Sequence, residues 1–155
     1  MTHDEVFESL KNYFETRPVA RWALGLLKPG TEIGLIIGNQ IECAIFNRGG
    51  VPAVERREAK NAHFIFHMKP ETIAILAKSK SEDFGEICVS VITEILTGDI
   101  RVEMNGSMKE IMDNGYLEIL KAGGVKLSDF MKTQGSIGLM KALAFINKMK
   151  NTGKA

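Results

Sequence analysis

The chain has 155 residues, of which 45% are hydrophobic and 25% are charged, proportions that are ordinary for one folded domain with a sizeable core. Its formal net charge of +1 argues against a protein that binds nucleic acid over its whole surface. No basic leader opens the chain and no apolar run approaches the roughly 20 residues that cross a bilayer, so we expect a cytoplasmic protein.

Two helices are predicted at the start of the chain. Thr2 and Glu5 form a T-x-x-E capping box, and apolar residues then recur at helical spacing. Pro18 suits the first turn of a second helix, with Thr16 as its N-cap, and the motif KPG at 28–30 ends it.

After Gly30 the apolar period changes from helical to two, which predicts strands. Residues 33–37 and 41–45 alternate on either side of the turn sequence GNQ, so they predict a hairpin. Two more strands are predicted near 51–57 and 62–68.

Two helices and a fifth strand come next. Pro70 opens the first helix, and Ser79 and Glu82 form the predicted capping box of the second. Residues 84–96 then show the clearest amphipathic pattern in the chain. Gly98 ends that helix, and the following strand has Ile100, Val102 and Met104 on one face.

The remaining residues predict two further helices. Ser107 and Glu110 cap one helix, which ends at the AGG motif of residues 122–124. The last helix is predicted over residues 136–150, with a narrow polar stripe marked by Lys141 and Lys148.

The order of these elements predicts the fold class. Strands in sequential runs favour a largely antiparallel five-stranded sheet covered by helices on one face, which is an α+β fold. We expect a single domain over residues 1–155, with N-terminal helices over 1–29, a core over 30–122 and a helical extension over 123–155.

Three segments resemble the sterol carrier protein (sterol-transfer) family. They are AHFIFHMKPETIAIL at 62–76, TGDIRVEMNGSMKEIM at 97–112 and GTEIGLIIGNQ at 30–40. The resemblance covers roughly residues 30–120, whereas the first 28 and the last 30 residues have no clear counterpart. It implies an apolar tunnel between sheet and helices that holds sterols, fatty acids or fatty acyl chains.

The predicted function is therefore non-catalytic binding or transfer of a hydrophobic lipid, with no cofactor. Apolar strand faces and a methionine-rich last third of the chain suggest an adaptable wall, although methionine also fills loosely packed cores. The predicted ligand contacts are Phe64, Phe66, Ile100, Val102, Met104, Met108, Met112, Met140 and Leu143.

Candidates for other chemistry are weak. No Ser-His-Asp arrangement is readable, and His63 and His67 share a strand face without the further ligands that a metal site needs. Cys43 and Cys88 lie on apolar faces and are expected to be reduced core residues. The segment VERREAK at 54–60 is expected to be a solvated edge or strand face.

Charge is concentrated near the end of the chain. Seven Lys and one Asp give residues 121–155 a charge of +6, which indicates either a solvated lysine face or a surface for anionic lipid headgroups. The last helix is accordingly predicted to be a mobile lid that touches membranes, or else a fixed helix that completes the core. The rival function is a protein-interaction or homodimerisation module with a closed core.

Overall fold

The computed structural model describes residues 2–124 and residue 129. Six helices and five strands lie within this part of the chain. They are α1 (His3–Thr16), α2 (Pro18–Leu24), β1 (Glu32–Ile37), β2 (Ile41–Arg48), β3 (Val51–Glu55), β4 (Phe64–Met68), α3 (Pro70–Lys78), α4 (Phe84–Thr97), β5 (Ile100–Met104), α5 (Met108–Asp113) and α6 (Tyr116–Ala122).

The five strands form one sheet in the order β3-β2-β1-β4-β5. β1 pairs with β4 in parallel, and the other three neighbouring pairs are antiparallel. The predicted α+β class and largely antiparallel sheet are confirmed.

The register gathers the alternating apolar residues on one face of the sheet. Leu35 of β1 lies between Cys43 of β2 and Phe66 of β4. Residues of α1, the α2 region and α3 pack onto this face, so the predicted helical cover is also confirmed. The buried cluster comprises Val6, Leu10, Leu24, Leu27, Leu35, Ile37, Ile41, Cys43, Ile45, Val54 and Ile73.

The opposite face is partly polar. Arg57 donates two hydrogen bonds of 2.8 Å to the two carboxylate oxygens of Glu32, and it also bonds Glu55 at 2.8 Å. The guanidinium groups of Arg48 and Arg57 each lie 5.2 Å from the ring centroid of Phe46. Within VERREAK, Glu55 and Arg57 thus belong to an ion-pair network beside Phe46, whereas Arg56 pairs with Asp4 of α1.

The outer edge at β3 is covered by α1. The Glu15 carboxylate accepts a hydrogen bond of 2.9 Å from the backbone N–H of Val54, and Asp4 pairs with Arg56 at 2.9 Å. An edge strand with free backbone donors is prone to pair with another chain. The Glu15 side chain occupies one such donor and so opposes that pairing.

Two predicted N-terminal helix caps are confirmed and two are wrong. Thr2 and Glu5 form the capping box of α1, and Ser107 accepts from the N–H of Glu110. Thr16, however, donates to the carbonyl of Asn12 within α1. The N-cap of α4 is Asp83, whose side chain accepts from the N–H of Glu86 at 3.2 Å. The capping box assigned to Ser79 and Glu82 is therefore wrong.

The prediction of a single helix after Ser107 is also wrong. The helix is interrupted by a turn between α5 and α6. Gly115 has φ +94°, and a Cβ there would collide with the backbone oxygen of Leu26. The carbonyl of the adjacent Asn114 accepts from the N–H of Lys28 at 3.0 Å. A turn at this point fits a close backbone contact that a continuous helix could not make.

Candidate functional site

The apolar face of the sheet is unevenly covered along β4. Phe66 and Met68 are only half-buried, although their cross-strand neighbours on both sides are almost fully buried. Leu35 and Val102, which flank Phe66, are 3% and 1% exposed, and Ile37 and Ile100, which flank Met68, are 1% and 0% exposed. Phe66 and Met68 of β4 are therefore more exposed than the residues of β1 and β5 that flank them, although both pack against the buried cluster.

Two aromatic rings lie on this face of β4. Phe64 and Phe66 stack with ring centroids 6.2 Å apart and planes inclined by 25°. Both side chains lie on the core-facing side of β4, and Phe66 packs against the buried cluster. The sheet thus offers an apolar, aromatic floor with partial access from outside.

α4 is apolar but poorly buried. Gly85 is its only buried residue, and its apolar stripe, which includes Ile87, Cys88, Val91 and Ile95, is half-buried. An amphipathic helix usually buries that stripe in the core. Burial raises the pKa of the Cys88 thiol to about 11, so the site does not hold a reactive thiolate at neutral pH.

A pocket of about 630 Å³ lies beside the start of α4. Trp22 of α2 and Phe84 of α4 meet edge to face in its wall, with centroids 5.5 Å apart. Trp22 remains 50% exposed. The described lining residues are Pro18, Val19, Trp22, Glu82, Asp83, Phe84, Gly85, Ala122, Gly123 and Gly124.

The wall of this pocket is held by long-range hydrogen bonds. The guanidinium of Arg17 donates to the carbonyl oxygens of Ala77, Ser79 and Ser81. The Glu82 carboxylate accepts from the backbone N–H of Val19 at 3.1 Å. The segment before α4 is thereby fixed to the junction between α1 and α2, which positions the two aromatic rings.

The structure brings together five of the nine predicted ligand residues. Phe64, Phe66, Ile100, Val102 and Met104 share one sheet face, with Phe64 opposite Met104 and Phe66 opposite Val102. None of these five lines the pocket beside α4.

Met108 and Met112 belong to α5, and Met140 and Leu143 lie outside the described residues. The sequence patterns did not indicate that Trp22 and Phe84 meet in a pocket wall. No local signal links two positions so far apart in the chain.

His63, just before β4, and His67, within β4, each face a carboxylate. His63 Nε2 lies 3.6 Å from Glu110 Oε2, and His67 Nε2 lies 3.9 Å from Glu103 Oε2. Within the described residues, no group of three or more His, Cys, Asp or Glu side chains is arranged to hold a metal ion. Both cysteines are free; Cys43 is a buried core residue as predicted, whereas Cys88 is only half-buried.

None of the helices in the described part of the chain is both long and apolar enough to cross a membrane. No protein-family model and no curated protein matches the sequence. Among solved structures, the chain is similar to "UbiJ-SCP2 Ubiquinone synthesis protein" at 11% identity and a TM-score of 0.45, over 78% of this chain and 94% of that one. A likeness of this degree does not assign a ligand, so a function has to rest on this chain's own residues.

Proposed function

We propose that this protein binds a hydrophobic lipid, such as a fatty acid, a fatty acyl-CoA or a sterol-like molecule, between the sheet and its covering helices. The supporting observation is the half-buried row Phe66 and Met68 between fully buried neighbours on β1 and β5. Small-molecule sites are lined mostly by hydrophobic and aromatic side chains, which is the composition of this strand face.

The mechanism needs no chemical step. Burying an acyl chain contributes about 0.8 kcal/mol for each CH₂, so a long chain can be held by burial alone. In this proposal Phe64 and Phe66 of β4 form the floor of the site. Ile100, Val102 and Met104 lie next to them on β5, on the same face of the sheet. Met108, Met112, Met140 and Leu143 are proposed as further contacts on the strength of the sequence.

The test is a titration with fluorescent fatty acid analogues of several chain lengths, after organic extraction of any lipid that co-purifies. We expect saturable binding that Phe66→Ala weakens by about tenfold, since loss of an aromatic contact surface costs roughly 1.4 kcal/mol. Phe46→Ala is the matched control, because Phe46 lies on the opposite face of the sheet. A folded, delipidated protein without a saturable signal at any chain length contradicts the proposal.

A charged substitution at Val102 is a poorer test of binding. Val102 is 1% exposed, so an aspartate there would be a buried, unpaired charge and is expected to unfold the protein. Phe66 is half-buried and tolerates truncation better, which keeps ligand affinity separate from stability.

Delivery at an anionic membrane surface is part of the same proposal. The lysine-rich end of the chain supports it, with a charge of +6 over residues 121–155. The predicted lid over residues 136–150 lies outside the described residues.

A protein-interaction or dimerisation module is the second candidate. It is favoured by exposed apolar side chains on α2 and α4, where Trp22 is 50% and Leu96 is 37% exposed. Concentration-dependent dimerisation of a lipid-free protein in analytical ultracentrifugation would favour this candidate over lipid binding.

A further inference from the structure

The outer face of the sheet, which is the face opposite the buried cluster, is well covered over β2 and β1. Residues 56–62, the crossover from β3 to β4, pass above these two strands. Ala44 of β2 is 0% exposed there, and a Cβ on Gly34 of β1 would lie 3.5 Å from the Cβ of Ala59 in the crossover. Arg57 of the crossover is tied to Glu32 of β1 by two hydrogen bonds of 2.8 Å. The crossover therefore forms a ridge over this half of the face.

The other half of the outer face, over β4 and β5, is more open. Ile65 and His67 of β4 are half-buried, and the side chain of Glu103 on β5 is 31% exposed. Arg101 of β5 is exposed. The face thus has a covered half and an open half, side by side.

One row of side chains runs across this face from β2 to β5. The register aligns Glu42, Ile36, His67 and Arg101 on four neighbouring strands. Glu42 and Arg101, at the two ends of the row, are exposed, and neither has a hydrogen bond or an ion pair within the part of the chain that the structure describes. Neighbouring strands lie about 4.8 Å apart, so roughly 14 Å separates the backbones at these two opposite charges, which is too far for an ion pair within one molecule.

We propose that a second copy of this chain binds the outer face, related to the first by a two-fold axis that runs parallel to the strands, between β1 and β4. In a two-fold interface the same surface patch serves both copies. This axis exchanges the positions of β2 and β5, so Glu42 of each copy meets Arg101 of the other, and Ile36 meets the ring of His67. Two ion pairs of opposite charge then fix the orientation of the copies.

The same rotation matches the uneven relief of the outer face. It leaves each residue at its own level along the strands, so the crossover of one copy lies over β4 and β5 of the other. Gly34 and Ala44 have little or no side chain, which lets the crossover lie close to its own sheet and keeps the ridge low. The covered half of each copy thereby packs against the open half of the other.

This interface does not depend on the proposed lipid function. Phe64 and Phe66, which form the proposed floor of the lipid site, lie on the other face of the sheet. The interface also differs from the exposed apolar side chains of α2 and α4, because it is built on strands. The chain is therefore expected to dimerise with or without a ligand.

Charge reversal tests the pairing of Glu42 with Arg101. Glu42→Arg and Arg101→Glu each place like charges together in both pairs, so each should weaken dimerisation by about tenfold or more in analytical ultracentrifugation. Both side chains are exposed, so the substitutions leave the core intact. Arg21→Glu is the matched control, because Arg21 is exposed on α2, which packs against the buried cluster, and the change in charge is the same. It should leave the affinity of the dimer unchanged.

Mixing the two variants gives the sharper test. One chain then carries Glu at both positions and the other carries Arg at both, so the two pairs of the interface are again opposite in charge. We expect a mixed dimer of about wild-type affinity, although each variant alone associates weakly. A mixture that does not associate, while both variants keep the circular dichroism spectrum of the wild type, overturns the proposal.

The wild-type chain supplies two further outcomes. A monomer at every protein concentration overturns the proposal, and so does a dimer that neither charge reversal weakens, because it forms through another surface. If a variant unfolds, the salt dependence of the wild type decides. Salt screens ion pairs at the edge of an interface, so the affinity of the proposed dimer should fall as salt is added. An affinity that does not fall overturns the proposal.

Discussion

Trp22 and Phe84 meet edge to face with their rings inclined by 79°, and this contact joins α2 to the first residue of α4. Both residues line the 630 Å³ pocket, and Trp22 remains 50% exposed. The fluorescence of an indole in this position depends on what occupies the pocket. Trp22 is the one tryptophan of the chain, so the emission can be assigned to it.

Binding of an apolar ligand in the pocket should shift the Trp22 emission to shorter wavelength, because the exposed half of the ring loses water. Phe84→Ala should reduce that shift and lower the free energy of unfolding by about 1 kcal/mol through loss of the aromatic pair. Fluorescence titration of both proteins provides the measurement. The proposed floor over β4 lies outside this pocket, so saturable fatty acid binding without a change in emission would place the ligand over β4 and leave the pocket empty.

The turn at Gly115 predicts an unequal response to the same substitution at two glycines. Gly115→Ala should lower the free energy of unfolding by about 3 kcal/mol or more, because φ is +94° and the new Cβ meets the backbone of Leu26. Gly49→Ala, at φ +58° with nothing within 4 Å, should cost only about 1 kcal/mol. Urea unfolding checks both values, and similar costs would show that the Leu26 contact is unimportant.

The bidentate pair of Glu32 and Arg57 predicts a pH-dependent stability. Hydrogen bonds from Arg57 hold the pKa of the Glu32 carboxyl below its usual 4.5. Glu32→Gln should lower the free energy of unfolding at neutral pH by about 2 kcal/mol.

The sign of the pH effect follows from the direction of that pKa shift. A carboxyl with a lowered pKa in the folded state stabilises the protein above its unfolded pKa, and the stabilisation is lost as pH falls through the folded pKa. The difference between wild type and Glu32→Gln should therefore shrink below pH 4.5. Asp4→Asn, which removes an exposed ion pair with Arg56, is the control and should change little. A wild-type advantage that is constant down to strong acid would contradict this assignment.

Vesicle co-sedimentation tests the predicted membrane contact of residues 136–150. We expect binding to anionic but not to neutral vesicles, weakened by salt, because each Lys near an anionic surface contributes roughly 1 kcal/mol that salt screens. Deleting the residues after Gly135 should abolish binding to the anionic vesicles. Equal binding to both kinds of vesicle, or unfolding of the truncated chain, would identify a structural helix instead of a lid.

Function is expected to be independent of metal. His63 and His67 each face one carboxylate, which falls short of a four-ligand zinc site. Elemental analysis of the purified protein is the measurement. One zinc or iron per chain, lost together with ligand binding in His67→Ala, would refute the expectation.

Local patterns in the sequence were sufficient to predict the strands of the sheet. They were insufficient to predict features that depend on contacts between distant residues. The alternation of Ile100, Val102 and Met104 predicted β5 because side-chain period depends only on neighbouring residues. The break at Gly115 depends on a distant backbone, that of Leu26, and no local pattern encodes it.

The candidate site shows the same division. The apolar faces of β4 and β5 were predictable, and their register follows from strand pairing. The Trp22–Phe84 pocket was not, because it depends on how Arg17 holds the segment before α4. The α4 cap was misplaced for the same reason, since Ser79 and Ser81 offer carbonyls to Arg17.

The parallel pairing of β1 with β4 has a kinetic consequence. β1, β2 and β3 form a meander of adjacent strands, whereas β4 and β5 join it in the sheet only through the β1–β4 ladder. Closing that ladder requires a long chain loop, so it is expected to form late in folding. Amide hydrogen exchange should then show the meander protected as one cooperative unit, with β4 and β5 opening together at lower free energy. β4, which carries Phe64 and Phe66, would thus belong to the part of the sheet that opens most easily to admit a ligand.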